Sequence, residues 1–230
     1  MLAFYVDSAE RAAAERMLAT GLFAGLTTNP AILDKAGLGT ADVPEVVRWA
    51  VDAGAARVFA QVHGDTADEL VARGERWRAL SDRVVIKVAY SAAALEAARR
   101  LAGGGEVLVT GLHRAWQVLP AMAAGATYVA PFIARMDAAG RDGLVEAAAM
   151  TAAVSAAGSP LKVLAGSVRT PEQILTLVRS GVRHLTFGPA VWEQFFGDAV
   201  TRDAVAAFEA LASDPAVVPV ASDQTEGVAA

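Results

Sequence analysis

The chain has 230 residues, 54% of them hydrophobic, with a positive mean hydropathy of +0.38. That is enough apolar surface for a large core and too much for a disordered chain. A formal net charge of −5 argues against a basic nucleic-acid face. The absence of cysteine excludes a disulfide scaffold, a thiolate zinc site and a cysteine nucleophile. No apolar run reaches the roughly 18 residues of a membrane span, and Met1–Asp7 lacks a secretory pattern. A cytoplasmic location with no membrane partner is the expectation.

Short β-rich runs alternate along the chain with alanine-rich segments of helical period. Strands are predicted at Ala3–Asp7, Gly25–Asn29, Arg57–Val62, Val84–Val88, Glu106–Thr110, Tyr128–Phe132, Leu161–Ser167 and His184–Gly188. Each is nearly continuous in apolar residues, as strands buried on both faces should be. Helices are predicted at Ser8–Leu18, Val43–Ala53, Thr66–Leu80, Ala92–Leu101, Arg114–Ala123, Gly143–Ala156, Pro171–Arg179 and Ala190–Phe196. Ser8 and Asp65 read as caps, Pro171 fits the first helical position after Thr170, and Gly125, Gly158 and Gly181 read as helix stops. Eight β/α units fit an α/β fold of one kind, a single (β/α)8 TIM barrel over residues 1–212. Arg202–Leu211 reads as an extra C-terminal helix, and residues 213–230 as a disordered tail.

Barrel sites lie at the C-terminal ends of strands, so the polar residues closing each run are the candidates. They are Asp7 on strand one, Thr27, Thr28 and Asn29 on strand two, and Gln61 and His63 on strand three. Lys87 lies inside strand four, and Thr110 ends strand five. Arg135 and Asp137 follow strand six, with Ser167 and Arg169 after strand seven. Lys87 is the sharpest signal, because an ammonium in the apolar run Val84-Val85-Ile86-Lys87-Val88 must be paired or driven neutral. A neutral amine attacks carbonyls. A strand-end lysine paired with Asp7 or reaching solvent is the alternative. Lys35, read as a loop residue, and Lys162, at a strand start, need no special account.

Six ordered blocks carry a resemblance. They are Phe4-Tyr5-Val6-Asp7, Gly25-Leu26-Thr27-Thr28-Asn29-Pro30, Phe59-Ala60-Gln61-Val62, Val85-Ile86-Lys87-Val88, Gly125 to Phe132, and Leu164 to Pro171. Together they resemble the small transaldolase and fructose-6-phosphate aldolase family. The resemblance implies a class I aldolase with no metal or organic cofactor, acting on sugar phosphates through a lysine Schiff base. It also implies a homo-oligomer, pentamer or decamer.

Under that resemblance Lys87 is the Schiff-base lysine and Asp7 the acid or base for carbon–carbon cleavage. Gln61 and Thr110 would position the water of carbinolamine formation, or be satisfied strand-end groups. Asn29 would bind donor hydroxyls or cap a helix before Pro30, and Thr28 would line the donor site or form a turn. Arg135, Ser167 and Arg169 resemble a phosphate clamp, with pairing to Glu172 the alternative for Arg169.

The departures concern proton handling. Transaldolases of the family carry glutamate at the Gln61 position and phenylalanine at Phe132, whereas the aldolases carry glutamine and tyrosine; this chain combines Gln61 with Phe132. Ala130 is aldolase-like, and Ala89 replaces a usual proline before Tyr90. Tyr90 and His113 are candidate replacement acids, His63 a residue that could face the mouth, and His184 a structural residue at the opposite end. The expected function is transaldolase-like transfer of a dihydroxyacetone unit. Reversible aldol cleavage and a non-catalytic phosphosugar-binding barrel are the rivals.

Overall fold

A computed structural model describes residues 1–212. Eight parallel strands close in sequence order, β1 pairing with β2 and finally with β8. They are β1 (Ala3–Asp7), β2 (Phe23–Thr27), β3 (Arg57–Gln61), β4 (Val84–Ala89), β5 (Val107–Leu112), β6 (Tyr128–Pro131), β7 (Lys162–Ala165) and β8 (His184–Phe187). The expected (β/α)8 barrel is therefore present.

The helices in chain order are α1 (Arg11–Ala19), α2 (Pro30–Lys35), α3 (Val43–Asp52), α4 (Ala67–Arg78), α5 (Ala92–Leu101), α6 (Val118–Ala123), α7 (Ile133–Ala138), α8 (Gly143–Ala156), α9 (Pro171–Arg179), α10 (Pro189–Gln194) and α11 (Ala199–Ala212). Residues 1–192 form one compact unit. Helix α11 belongs to a second unit and carries exposed Val200, Val205, Phe208 and Leu211 along its length. The tail expected over residues 213–230 lies outside the described residues.

The side chains divide by strand parity into two cores. Tyr5, Phe59, Val85, Leu108, Tyr128, Ala130 and Leu164 fill the barrel interior. The intervening residues, such as Val6, Val58, Ile86, Val109 and Val129, pack against the helices. In the interior Phe59 meets Tyr5 and Tyr128 edge-on, with centroids 5.3 and 5.2 Å away. This aromatic layer floors the upper site.

Three sequence readings need correction. Helix α7 was not expected, and α2 only as the alternative role of Asn29 before Pro30; both start next to the barrel mouth, and Lys35 closes α2 rather than sitting in a loop. Helix α4 is capped by Thr66, whose Oγ1 accepts from Glu69 N–H, not by Asp65. Ser8 does not cap α1, which begins at Arg11; its Oγ accepts from Glu10 N–H in the turn before it. The Thr170 cap with Pro171 holds, and Gly125, Gly158 and Gly181 take φ of 73, 60 and 97° at helix ends.

Candidate active site

A cavity of about 880 Å³ opens at the C-terminal ends of the strands. Asp7, Thr27, Lys87, Leu108, Phe132 and Thr186 lie in or beside its floor by strand position, and Asn29, Arg135, Ser167 and Arg169 line it from the strand-end loops and helices. Thr28, Gln61, Thr110 and Ala130 are not part of its lining.

Lys87 shares the inward parity of Val85 and is 3% exposed. Its Nζ donates to Thr28 O at 3.0 Å. Burial pulls its pKa down from 10.5 to about 8; the Asp7 carboxylate opposes that shift and the Arg135 guanidinium adds to it. At pH 7 about a tenth of the amine is then neutral, roughly three-hundredfold more than for an exposed lysine. Asp7 ends β1 and lines the same cavity. Burial raises its pKa, while the Thr27 hydroxyl, the Lys87 ammonium and Arg169 hold it down.

The second-strand motif is divided by parity. Thr27 turns inward and donates to Asp7 Oδ1 at 2.6 Å. Thr28 turns outward, and its Oγ1 donates to Phe59 O at 2.9 Å, so its hydroxyl serves the strand edge while its carbonyl holds Lys87. Asn29 is both a cap and a cavity residue: its Oδ1 accepts from Ile32 N–H at 3.0 Å while its side chain lines the wall.

Gln61 pairs in register with Lys87 at the end of β3. Thr110 is buried on β5, and its Oγ1 has no hydrogen-bond partner among the described residues. Such a hydroxyl normally finds a partner, and Thr110 Oγ1 departs from that rule. Gly111 follows with φ of 80°, where the β5–β6 register slips between Thr110 and Leu112. A side chain there would be strained.

The rim is cationic. Arg135, on α7, stacks over the Phe132 ring at 5.0 Å from its centroid, and Lys87 Nζ lies 5.8 Å from the same centroid. Lys35 joins Arg135 and Arg169 on the cavity wall. Ser167 has φ of 59°, the one non-glycine positive φ among the described residues, and its carbonyl accepts from Ala134 N–H at the start of α7. A strained residue at a cavity wall is typical of a binding position. Asp137 turns away from this group, its Oδ1 accepting from Gly143 N–H.

The replacement-acid candidates fall outside the cavity lining. Tyr90 packs against the helix-facing core, as strand alternation requires. His113 meets the Phe132 ring edge-on at 6.2 Å, and burial, Arg135 and Arg141 lower its pKa. His63 is exposed. His184 lies at the other end of the barrel, where its Nδ1 is 3.2 Å from Tyr5 OH. Sequence reasoning missed Thr186, which sits within β8 and reads there as an ordinary β-branched strand residue. Among the described residues no three His, Asp or Glu side chains converge as a metal site requires.

A parallel barrel with a buried, partly neutral lysine and a carboxylate under a cationic rim is the geometry of a carbonyl-handling barrel enzyme. Comparison with known proteins gives the family. The family model for Transaldolase/Fructose-6-phosphate aldolase matches residues 4–226. A protein from Cereibacter sphaeroides named a probable transaldolase is 32% identical over 90% of this chain and 94% of its own. Another so named, from Moorella thermoacetica, is 33% identical over 82% and 86%. The chain belongs to the transaldolase/fructose-6-phosphate aldolase family, enzymes of the aldolase type. A provisionally named deoxyribose-phosphate aldolase from Coccidioides immitis superposes with a TM-score of 0.59 at 16% identity, covering 82% of this chain and 81% of that one, which attests the shared barrel.

Proposed function

We propose that this protein carries a three-carbon ketol unit as a Schiff base on Lys87 and transfers it between sugar phosphates. The observation that carries the reading is the Lys87 amine itself: 3% exposed, held toward about pH 8 and facing a cavity shared with Asp7. The neutral amine attacks the ketose carbonyl, and loss of water from the carbinolamine gives the Schiff base. Asp7 takes the proton of the donor's C4 hydroxyl as the C3–C4 bond breaks. The bonding electrons pass into an enamine on Lys87, and the aldose leaves. After the enamine attacks an acceptor aldehyde, Asp7 returns the proton to the new alkoxide, and addition of water to the resulting Schiff base releases the product ketose and frees the Lys87 amine. Thr110 Oγ1, unpartnered and buried, would hold the water of the carbinolamine steps together with Gln61. Asn29 would bind the donor's hydroxyls, and Arg135, Arg169 and Ser167 its distal phosphate.

Aldol cleavage without an acceptor is the second reading, favoured by Gln61 and by Ala130 beside the floor. Fructose 6-phosphate separates the two: transfer consumes it only when a phosphorylated aldose acceptor is added, whereas cleavage releases glyceraldehyde 3-phosphate without one. Binding of the sugar phosphate with neither turnover nor a reducible adduct would refute both. The exposed apolar residues of α11 support a homo-oligomer, and a monomer by light scattering would refute that part.

A further inference from the structure

Strand β1 is flanked by β2 and β8, and each neighbour brings a buried threonine toward Asp7. Thr27, 1% exposed, is register-paired to Asp7 itself; Thr186, 5% exposed, is paired to Tyr5. Thr27 Oγ1 lies 2.6 Å from Asp7 Oδ1 and 2.5 Å from Thr186 Oγ1. Each hydroxyl has one proton to give. The competing acceptors are farther away, Val6 O at 3.5 Å from Thr27 and Tyr5 O at 3.3 Å from Thr186. The short, charge-assisted contact to the carboxylate therefore takes the Thr27 proton. Thr27 must then accept from Thr186, which gives the chain one direction: Thr186 to Thr27 to Asp7 Oδ1. Asp7 Oδ2 receives no hydrogen bond from the protein among the described residues, and the Asp7 side chain lines the cavity.

We propose that Thr27 and Thr186 are positioning residues that occupy one oxygen of Asp7 and reserve the other for the substrate's hydroxyl proton. The inference rests on the Schiff-base reading only for the identity of that substrate. A carboxylate free to rotate would present either oxygen at variable depth; a bond fixed at Oδ1 presents one oxygen at one depth. Because the donated proton stabilises the anion, removing it has a signature that loss of packing alone lacks. The charges Asp7 feels are Lys87 from β4 and Arg169 after β7; Glu10, from the turn after β1, Lys35, at the end of α2, and Arg135, from α7, line the same cavity. All five are retained in the variants.

The test follows the Asp7 carboxyl by NMR titration of protein labelled with carboxyl-¹³C aspartate, its resonance assigned with Asp7→Asn. Thr27→Val should raise the Asp7 midpoint by about one to two pH units. Thr186→Val should raise it less, and Thr27→Ser should restore the parent value. Turnover of fructose 6-phosphate should fall about tenfold or more in kcat in Thr27→Val with KM little changed, and its acid limb should shift with the NMR midpoint. A folded Thr27→Val with an unmoved midpoint overturns the proposal. If that variant does not fold, Thr186→Val decides, since it never touches Asp7 and an unmoved midpoint there overturns the chain. A parent protein without turnover would refute the proposed reaction but leave the titration, and so the relay, still decided.

Discussion

The two ends of the barrel treat charge in opposite ways. At the N-terminal end, Arg57 Nε donates to Glu106 Oε2 at 2.6 Å, Tyr128 OH donates to Glu106 Oε1 at 3.4 Å, and Lys162 Nζ lies 3.7 Å from the same oxygen and 4.8 Å from the Tyr128 ring centroid. The Arg57 pKa is raised by this pairing, and that of His184 is pushed down to about 4 by burial and by Lys162, so the ring is neutral near pH 7. At the C-terminal end, Lys87 has a carbonyl for its hydrogen bond, and Asp7 keeps an oxygen unpaired. Both lysines stand on inward-facing strand positions. Lys162 is partly solvated and faces the Glu106 carboxylate, whereas Lys87 is desolvated, the condition its proposed role as nucleophile requires.

The largest effect expected from this contrast is at Lys87. Lys87→Met should abolish activity and adduct formation and also raise stability, because the buried amine costs on the order of a few kcal/mol at pH 7. The sign follows from linkage: with a folded pKa of about 8 against 10.5, the folded state binds fewer protons between those values, so stability rises with pH across that window. Calorimetry should give a Tm several degrees above the parent at pH 7, at about 2–4 °C per kcal/mol. A lowered Tm would mean that the ammonium is favourably paired after all.

Next in size, Arg135→Ala should raise KM for a phosphorylated acceptor about ten- to a hundredfold and leave unphosphorylated glyceraldehyde nearly unaffected, a contrast steady-state kinetics reads directly. Equal losses with both acceptors would assign Arg135 to support of the Phe132 ring beneath it. Phe132→Tyr adds one hydroxyl within reach of the floor, and should raise acceptor-free cleavage of fructose 6-phosphate at least severalfold. No gain in a folded variant would place proton handling on another group, His113 behind the ring being the nearest imidazole. Smallest, Glu106→Gln should cost about 0.5–1 kcal/mol of stability in denaturant titrations without changing kcat, since its partners are partly solvated at the far end. A loss of activity exceeding the loss of folded protein would break the separation of the two ends.

The eightfold alternation was legible because strands buried on both faces leave continuous apolar runs, and Lys87 was legible as a cation inside one of them. Helix α7 was not, and α2 only through its Asn29-Pro30 start. Six residues each, they are too short to show a period, and α7 follows β6 with no polar cap at Phe132. The different tasks of Thr27 and Thr28 needed parity, which β2 gives only once its true start at Phe23 is known. Thr186 gave no signal, since a threonine within a strand is ordinary in sequence and becomes informative through the hydroxyl 2.5 Å away.

The central claim is that the desolvated lysine, and no other, bonds to the substrate. Incubation with fructose 6-phosphate, reduction with borohydride and peptide mass spectrometry should find one three-carbon adduct on the peptide containing Lys87, formed faster as pH rises through about 8. An adduct on Lys35 or Lys162 with Lys87 unmodified, or none at any pH while the sugar phosphate still binds, would contradict the account.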